Sequence, residues 1–326
     1  MQTRIKSSFI YLANAVNDLR TNWKTLAIVL APAIILAAVC LLPDALNLQH
    51  GLAQKFTPGA HDVGWRLAQE PYAPPMEPAP PMFSRTQIVV AHLGFLLLTL
   101  IADLLVLCTL RRARTAPALM RRGIGEAAEI FRDAIRIAPA YAWVSLLQLA
   151  LPVIAVIAMQ ASFTVSSGSL ALAIYFFLVT LMIFGGLLYL WLYFAPYALL
   201  IGGKHSFYAL LYSRDLMRKR FFRVSMRIGV FLAVWSGFNS WAAIAFIVTS
   251  LIVGPVAVLT GSVWVMIFVV DLAAVIVNFS TMAFFTAAGL RLYQDLTAIM
   301  AELAEMNQPP APPTVPLAEV SSSAAS

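Results

Sequence analysis

Three ionisable side chains lie inside long apolar runs: Asp103, Asp271 and His92. An ionisable group within a membrane segment is costly, and such groups often serve in proton relay, ion binding or ligand contact. Asp103 and Asp271 lie roughly 12 Å in from opposite ends of their runs, taking 1.5 Å of rise per residue. Their different depths argue against a paired-carboxylate site.

Alternatives stay open for the two carboxylates. Asp103 either packs against a neighbouring helix, with an arginine as a candidate partner, or takes part in a proton or ion pathway or in contact with a lipid headgroup. For Asp271, hydration from the outer side is a further alternative. Neutral polar residues also occur within the apolar runs, namely Gln148, Asn239 and Asn278.

The sequence contains no motif that names a reaction. There is no Walker loop, HExxH, CxxC or GxSxG pattern. The histidines are scattered without metal-ligand spacing, at His50, His61, His92 and His205. We therefore expect a protein that is not an enzyme, with no catalytic residue, no metal and no cofactor.

The composition is that of a membrane protein. Hydrophobic residues make up 61% and charged residues 11% of the 326 residues, against about 45–50% and about 25% in soluble domains. Six stretches reach the roughly 20 apolar residues that cross a bilayer, at about 25–43, 87–110, 139–161, 170–201, 228–252 and 263–290. The predicted fold is all-α, a polytopic six-span transmembrane helical bundle. Span 1 is expected to be a retained anchor rather than a cleaved signal.

Span 4 is the one span with a candidate break. It carries Gly185, Gly186 and Pro196, and a proline inside a helix removes a hydrogen bond and clashes with the preceding turn. Broken helices near the midplane are typical of transporters.

The positive charges set the direction of the spans. Of the 22 Lys and Arg residues, 3 lie in segment 44–86, and the other 19 lie in the segments that alternate with it. Cytoplasmic loops carry the excess of Lys and Arg. We therefore predict a multi-pass protein of the bacterial inner membrane with both termini in the cytoplasm.

Basic amphipathic stretches precede spans 1, 3 and 5. They are predicted to be interfacial helices, whose arginines face lipid phosphates; the alternative is that they simply extend the spans. The candidate contacts to lipid headgroups are Arg111, Arg112, Arg114, Arg121, Arg122, Arg218, Lys219, Arg220 and Arg223. The expected partner is anionic lipid rather than nucleic acid, and homo-oligomer formation or a partner membrane protein stays open.

The chain is predicted to have one membrane domain, 1–306, with a proline-rich outer loop at 44–86. Segment 307–326 has the composition of a disordered cytoplasmic tail.

Two segments resemble a known family. FYALLYSRDLMRKRFFRV is similar to the segment after the fourth span in the membrane domain of glycerophosphoryl diester phosphodiesterases and in related membrane-only bacterial proteins. Its matching positions are Ala209, Leu210, Ser213, Leu216, Lys219, Arg220, Phe221 and Phe222. The closing FTAAGLRLYQDL is similar to the family's terminal segment, through Thr286, Ala287, Leu292, Tyr293, Asp295 and Leu296.

The resemblance implies the six-span plan but not the hydrolase activity. In that family the activity belongs to a separate soluble barrel domain, and no segment here is expected to supply one. The long proline-rich outer loop also departs from the family. The favoured hypothesis is a non-enzymatic protein that engages anionic lipid in membrane organisation or lipid homeostasis. The alternative is a small-molecule or lipid transporter that uses the intramembrane acids.

Overall fold

The computed structural model describes residues 5–56, 83–115, 124–162, 169–218, 220–259 and 263–306. Within those ranges the regular structure is entirely helical. The helices are α1 Ser8–Phe56, α2 Arg85–Thr115, α3 Ile124–Ser162, α4 Ser169–Leu192, α5 Ala195–Leu200, α6 Ser206–Arg218, α7 Phe221–Leu259 and α8 Val263–Met306. The predicted all-α class is confirmed.

Five helical stretches in the described part are long and apolar enough to cross a membrane. They are Ser8–Pro43, Thr86–Thr115, Ile174–Leu200, Phe221–Thr249 and Val265–Glu305. The predicted third span lies within α3, and most side chains of its second half are outside the described residues. The chain is therefore a helical membrane protein with several spanning segments.

The basic stretches before spans 1 and 3 are not separate helices. α1 and α3 run without interruption from these stretches into the apolar runs. Charged and apolar residues have similar helix propensity, so the change in hydropathy at Lys24 does not end the helix. Two of the three predicted surface helices are thus continuous with the predicted spans, and α6 is separate from the helix that follows it.

The predicted outer loop begins later than expected. α1 continues to Phe56 and includes Pro43. The side-chain amide of Asn47 donates to the carbonyl of Phe83 and its oxygen accepts from the Phe83 N–H at 2.8 Å. The two ends of the segment are therefore tied together. Residues 57–82 and the predicted tail 307–326 lie outside the described residues.

α1 packs between α2 and α8, and α3 packs against α2 and α4. Small residues such as Ala15, Ala33 and Ala37 on α1 are buried and allow close approach of its neighbours. α7 has its most extensive contact with α8, and most of its apolar side chains are exposed. The buried core is formed mainly by α1, α2, α3 and α8 together with the short helix α5, all of whose residues are buried.

Candidate functional site

Asp103 joins three helices. Its Oδ2 accepts a hydrogen bond from the Tyr141 hydroxyl of α3 at 2.5 Å, and its Oδ1 accepts one from the Thr286 hydroxyl of α8 at 2.5 Å. Each oxygen of a carboxylate has capacity for a further donor. Among the described residues its hydrogen-bond partners are hydroxyls, so the arginine partner considered from the sequence is not seen.

A cavity of about 340 Å³ lies beside Asp103. Its polar lining residues come from α2, α3 and α8 and are joined by tyrosines of α3 and of the fourth predicted span; they are Thr99, Asp103, Ser145, Gln148, Asn278 and Thr286. Gln148 and Asn278 are two of the intramembrane polar residues noted in the sequence, whereas Asn239 is not part of the lining. Polar groups from distant parts of the chain therefore converge on one space within the bundle.

The break predicted in span 4 forms one wall of this cavity. α4 ends at Leu192, a turn follows, and α5 begins at Ala195 with Pro196 in its first turn. Gly185 and Gly186 lie within uninterrupted α4. Three tyrosines around the break line the cavity, Tyr189, Tyr193 and Tyr197. The broken backbone thus lies at the cavity.

Ser213 of α6 satisfies the backbone groups that the break releases. Its hydroxyl accepts from the Phe194 N–H at 3.1 Å and donates to the Trp191 carbonyl at 2.8 Å. Backbone polar groups freed by a helix break must find partners when water is absent, and serine side chains of neighbouring helices often supply them. The separate helix α6 is therefore a clamp on the break.

α8 lies very close to the tyrosines of the break. A Cβ on Gly289 would overlap the Tyr197 hydroxyl and lie 2.7 Å from that of Tyr193. Tyr197 also stacks on Tyr293 with ring centroids 6.0 Å apart. A side chain larger than glycine at this position would therefore displace the Tyr193 and Tyr197 hydroxyls.

The other two intramembrane candidates lie elsewhere. Asp271 of α8 is half-buried and does not line the cavity, in agreement with the expectation that the two carboxylates form no pair. His92 is on the exposed side of α2.

Two of the predicted lipid-headgroup arginines are engaged within the protein. Arg112 lies in an ion-pair cluster with Glu126, Glu129 and Asp133 of α3. Arg114 pairs with Asp18 of α1 at 3.2 Å. The guanidinium groups of Arg112 and Arg114 therefore take part in contacts between helices, and their contact with lipid headgroups stays a prediction.

The remaining predicted headgroup residues divide by exposure. Arg111, Arg218 and Arg223 are exposed, and Arg220 is half-buried. Arg121, Arg122 and Lys219 lie outside the described residues.

Sequence reasoning missed four residues that organise the interior: Asp18, Glu126, Tyr141 and Thr286. A weak signal existed for two of them. Thr286 belongs to the closing segment that carries the family resemblance. Glu126 is followed at helical spacing by other acidic residues of the same stretch. Nothing in the order of residues links Tyr141 to Asp103.

Comparisons of the chain with protein-family models, with curated proteins and with solved structures find no match.

Proposed function

We propose that this integral membrane protein binds a small molecule within its helical bundle and serves as a transporter, with the cavity at Asp103 as the binding site. The observation that carries the proposal is that a cavity with several polar side chains in its lining lies at a broken helix. Substrate sites of secondary transporters typically form where discontinuous helices meet.

The polar lining favours binding over a structural role. Each buried polar group costs free energy unless it is paired, and polar residues within membrane segments usually serve a function. Asp103, Gln148 and Asn278 therefore suggest a recognition task. The cavity therefore favours a transporter over the hypothesis, preferred from the sequence, of a protein that engages anionic lipid.

A second candidate function is engagement of anionic lipid by α6 and the start of α7. Ala209, Ser213 and Met217 form the buried side of α6, while Phe207 and Tyr208 are exposed. Exposed Arg218 and Arg223 lie beside exposed Phe222. Aromatic and arginine side chains together are typical of helices at a membrane interface.

If α6 and the start of α7 engage anionic lipid, loss of their positive charge should lower lipid binding selectively. Replacement of Arg218 and Arg223 by glutamine should lower the amount of phosphatidylglycerol retained in native mass spectra of the full chain. The matched variant replaces Arg132 and Arg136, also exposed, and should retain wild-type amounts. Equal retention by all three proteins would rule out a specific lipid surface at α6.

We also propose the finer topology: six spans, with α3 as the additional one, in a bacterial inner membrane with both termini cytoplasmic. Membership of the family of the glycerophosphoryl diester phosphodiesterase membrane domain is likewise a proposal. Supporting it, the residues of the resemblance occupy key places. Ser213 clamps the break, Thr286 holds Asp103, and Ala209 and Ala287 are fully buried.

Access to the cavity tests the transport proposal. In a chain whose native cysteines are replaced, Ser145→Cys places a thiol in the cavity lining, and Val144→Cys places one in the adjacent packed core. We expect small methanethiosulfonate reagents to label the first variant in membranes much faster than the second. Equal and slow labelling of both would mean that the cavity admits no ligand, and the proposed function would fail.

A further inference from the structure

We propose that the cavity at Asp103 recognises an ammonium group, carried either by a free organic amine or by a lipid headgroup. This inference rests on the proposed binding function and names its ligand class. It follows from the charge, the aromatic content and the opening of the cavity.

The described lining carries one acidic side chain and no basic one. Asp103 is the sole carboxylate, and no Lys, Arg or His is among the described lining residues. Tyr141 and Thr286 each donate to it, which leaves one acceptor site on each oxygen for a ligand. Such a cavity attracts a cation and repels a phosphate or carboxylate.

Aromatic side chains in the lining supply further contacts that suit an ammonium group. Tyr189, Tyr193 and Tyr197 line the wall at the helix break, and Phe231 and Trp235 of α7 line another wall. Aromatic rings around a carboxylate suit an organic ammonium group, because ring faces attract cations that are shielded from water. A bare metal ion is usually held by several charged or imidazole side chains, and the described residues contain no group of three or more His, Cys, Asp or Glu that could hold one.

The size and the opening of the cavity fit a small head group. A volume of about 340 Å³ accommodates choline or a similar amine with room to spare. Leu232 and Trp235 line the cavity and are 46% and 40% exposed. The cavity therefore opens beside α7 at the apolar surface of the bundle, where either a free amine or the head group of a lipid can enter.

Choline and its uncharged carbon isostere dimethylbutanol are the probes for charge recognition. Calorimetric titration of the purified full chain in a non-ionic detergent should show choline bound at least about tenfold more tightly than dimethylbutanol, as expected for a charge-assisted contact in place of a neutral one. Asp103→Asn should remove this preference. Asp271→Asn, the same substitution at an intramembrane acid outside the cavity, should keep it.

Two results would overturn the inference. One is equal affinity, or no measurable affinity, of the wild-type chain for choline and dimethylbutanol. The other is a full preference for choline in Asp103→Asn. Either result leaves the transport proposal standing if Ser145→Cys is still labelled selectively, so the two failures are distinguishable.

Binding of lipid to the protein distinguishes the two sources of the ammonium group, a free amine and a lipid headgroup. Delipidated protein is incubated with phosphatidylcholine or with phosphatidylglycerol and examined by native mass spectrometry. Preferential retention of phosphatidylcholine, lost in Asp103→Asn, supports the headgroup source. Choline binding without such retention supports a free amine.

Discussion

The carboxylate of Asp18 on α1 binds the guanidinium of Arg291 on α8 in a two-point contact, at 2.8 Å to Nε and 2.5 Å to Nη2. The same carboxylate pairs with Arg114 at the end of α2. One acid therefore ties α1 to the two helices that pack most closely against it. Nearby, the Asp295 carboxylate of α8 accepts from the Tyr11 hydroxyl at 2.8 Å, so the same end of α1 is fixed to α8 at two points.

Asp18→Asn should destabilise the protein markedly. The substitution leaves Arg114 and Arg291 without their carboxylate, and their side chains are only 24% and 37% exposed. The expected loss is about 2–3 kcal/mol, less than for a fully buried pair because water screens part of the charge. Thermal unfolding in detergent measures it.

Asp215 provides the matched control for Asp18. It pairs with Arg214 at 3.3 Å, with more than half of its side chain exposed, and an exposed pair contributes about 0–1 kcal/mol. Asp215→Asn should unfold at nearly the wild-type temperature. Equal losses in the two variants would show that the Asp18 contacts do not hold the helices together.

Ser213→Ala should loosen the break in the fourth predicted span. The variant removes the acceptor for the Phe194 N–H and the donor to the Trp191 carbonyl. Loss of two hydrogen bonds in a membrane protein is expected to cost about 1–2 kcal/mol. Faster hydrogen exchange at residues 191–197 would locate the effect.

Ser225→Ala serves as the comparison for Ser213→Ala. The Ser225 hydroxyl is buried without a hydrogen-bond partner among the described residues. Removal of an unpaired polar group should leave stability unchanged or raise it slightly. If both serine variants behave alike, the clamp on the break is not needed.

The helices were predictable because long apolar runs, unlike alternating ones, allow little else in a bilayer. The break at Pro196 was predictable for the same kind of local reason. Helix ends were not: hydropathy marks where apolar residues stop, whereas α1 begins well before Thr25 and continues beyond Pro43.

Contacts between helices were beyond reach of the sequence. Asp103 was noted from its place in an apolar run, but its partner Thr286 lies 183 residues away. A helix formed by an apolar run has similar side chains on every face, so its sequence does not indicate which helices are its neighbours. For the same reason the ion pairs of Arg112 and Arg114 with acids of neighbouring helices were not predicted.

Introduced cysteines test the proposed topology. The cytoplasmic assignment rests on the asymmetry of Lys and Arg between alternate segments. In a background without native cysteines, Ala60→Cys should react with a membrane-impermeant maleimide added to intact cells. Glu305→Cys, in the last turn of α8, should react only after permeabilisation. The reverse pattern would invert the orientation.

The stability of Asp103 variants separates a buried hydrogen-bonded acid from one paired with an unseen cation. In Asp103→Asn the amide can accept from one hydroxyl and donate to the other, so we expect a loss below about 1 kcal/mol. Tyr141→Phe deletes one donor and leaves a carboxylate oxygen short of a partner, which should cost about 1–2 kcal/mol. Tyr175→Phe, at an exposed position, should cost nothing measurable.

A loss of several kcal/mol in Asp103→Asn would reveal an arginine or lysine left without its counter-charge. Wild-type stability with lost choline binding would instead assign the Asp103 charge to the ligand.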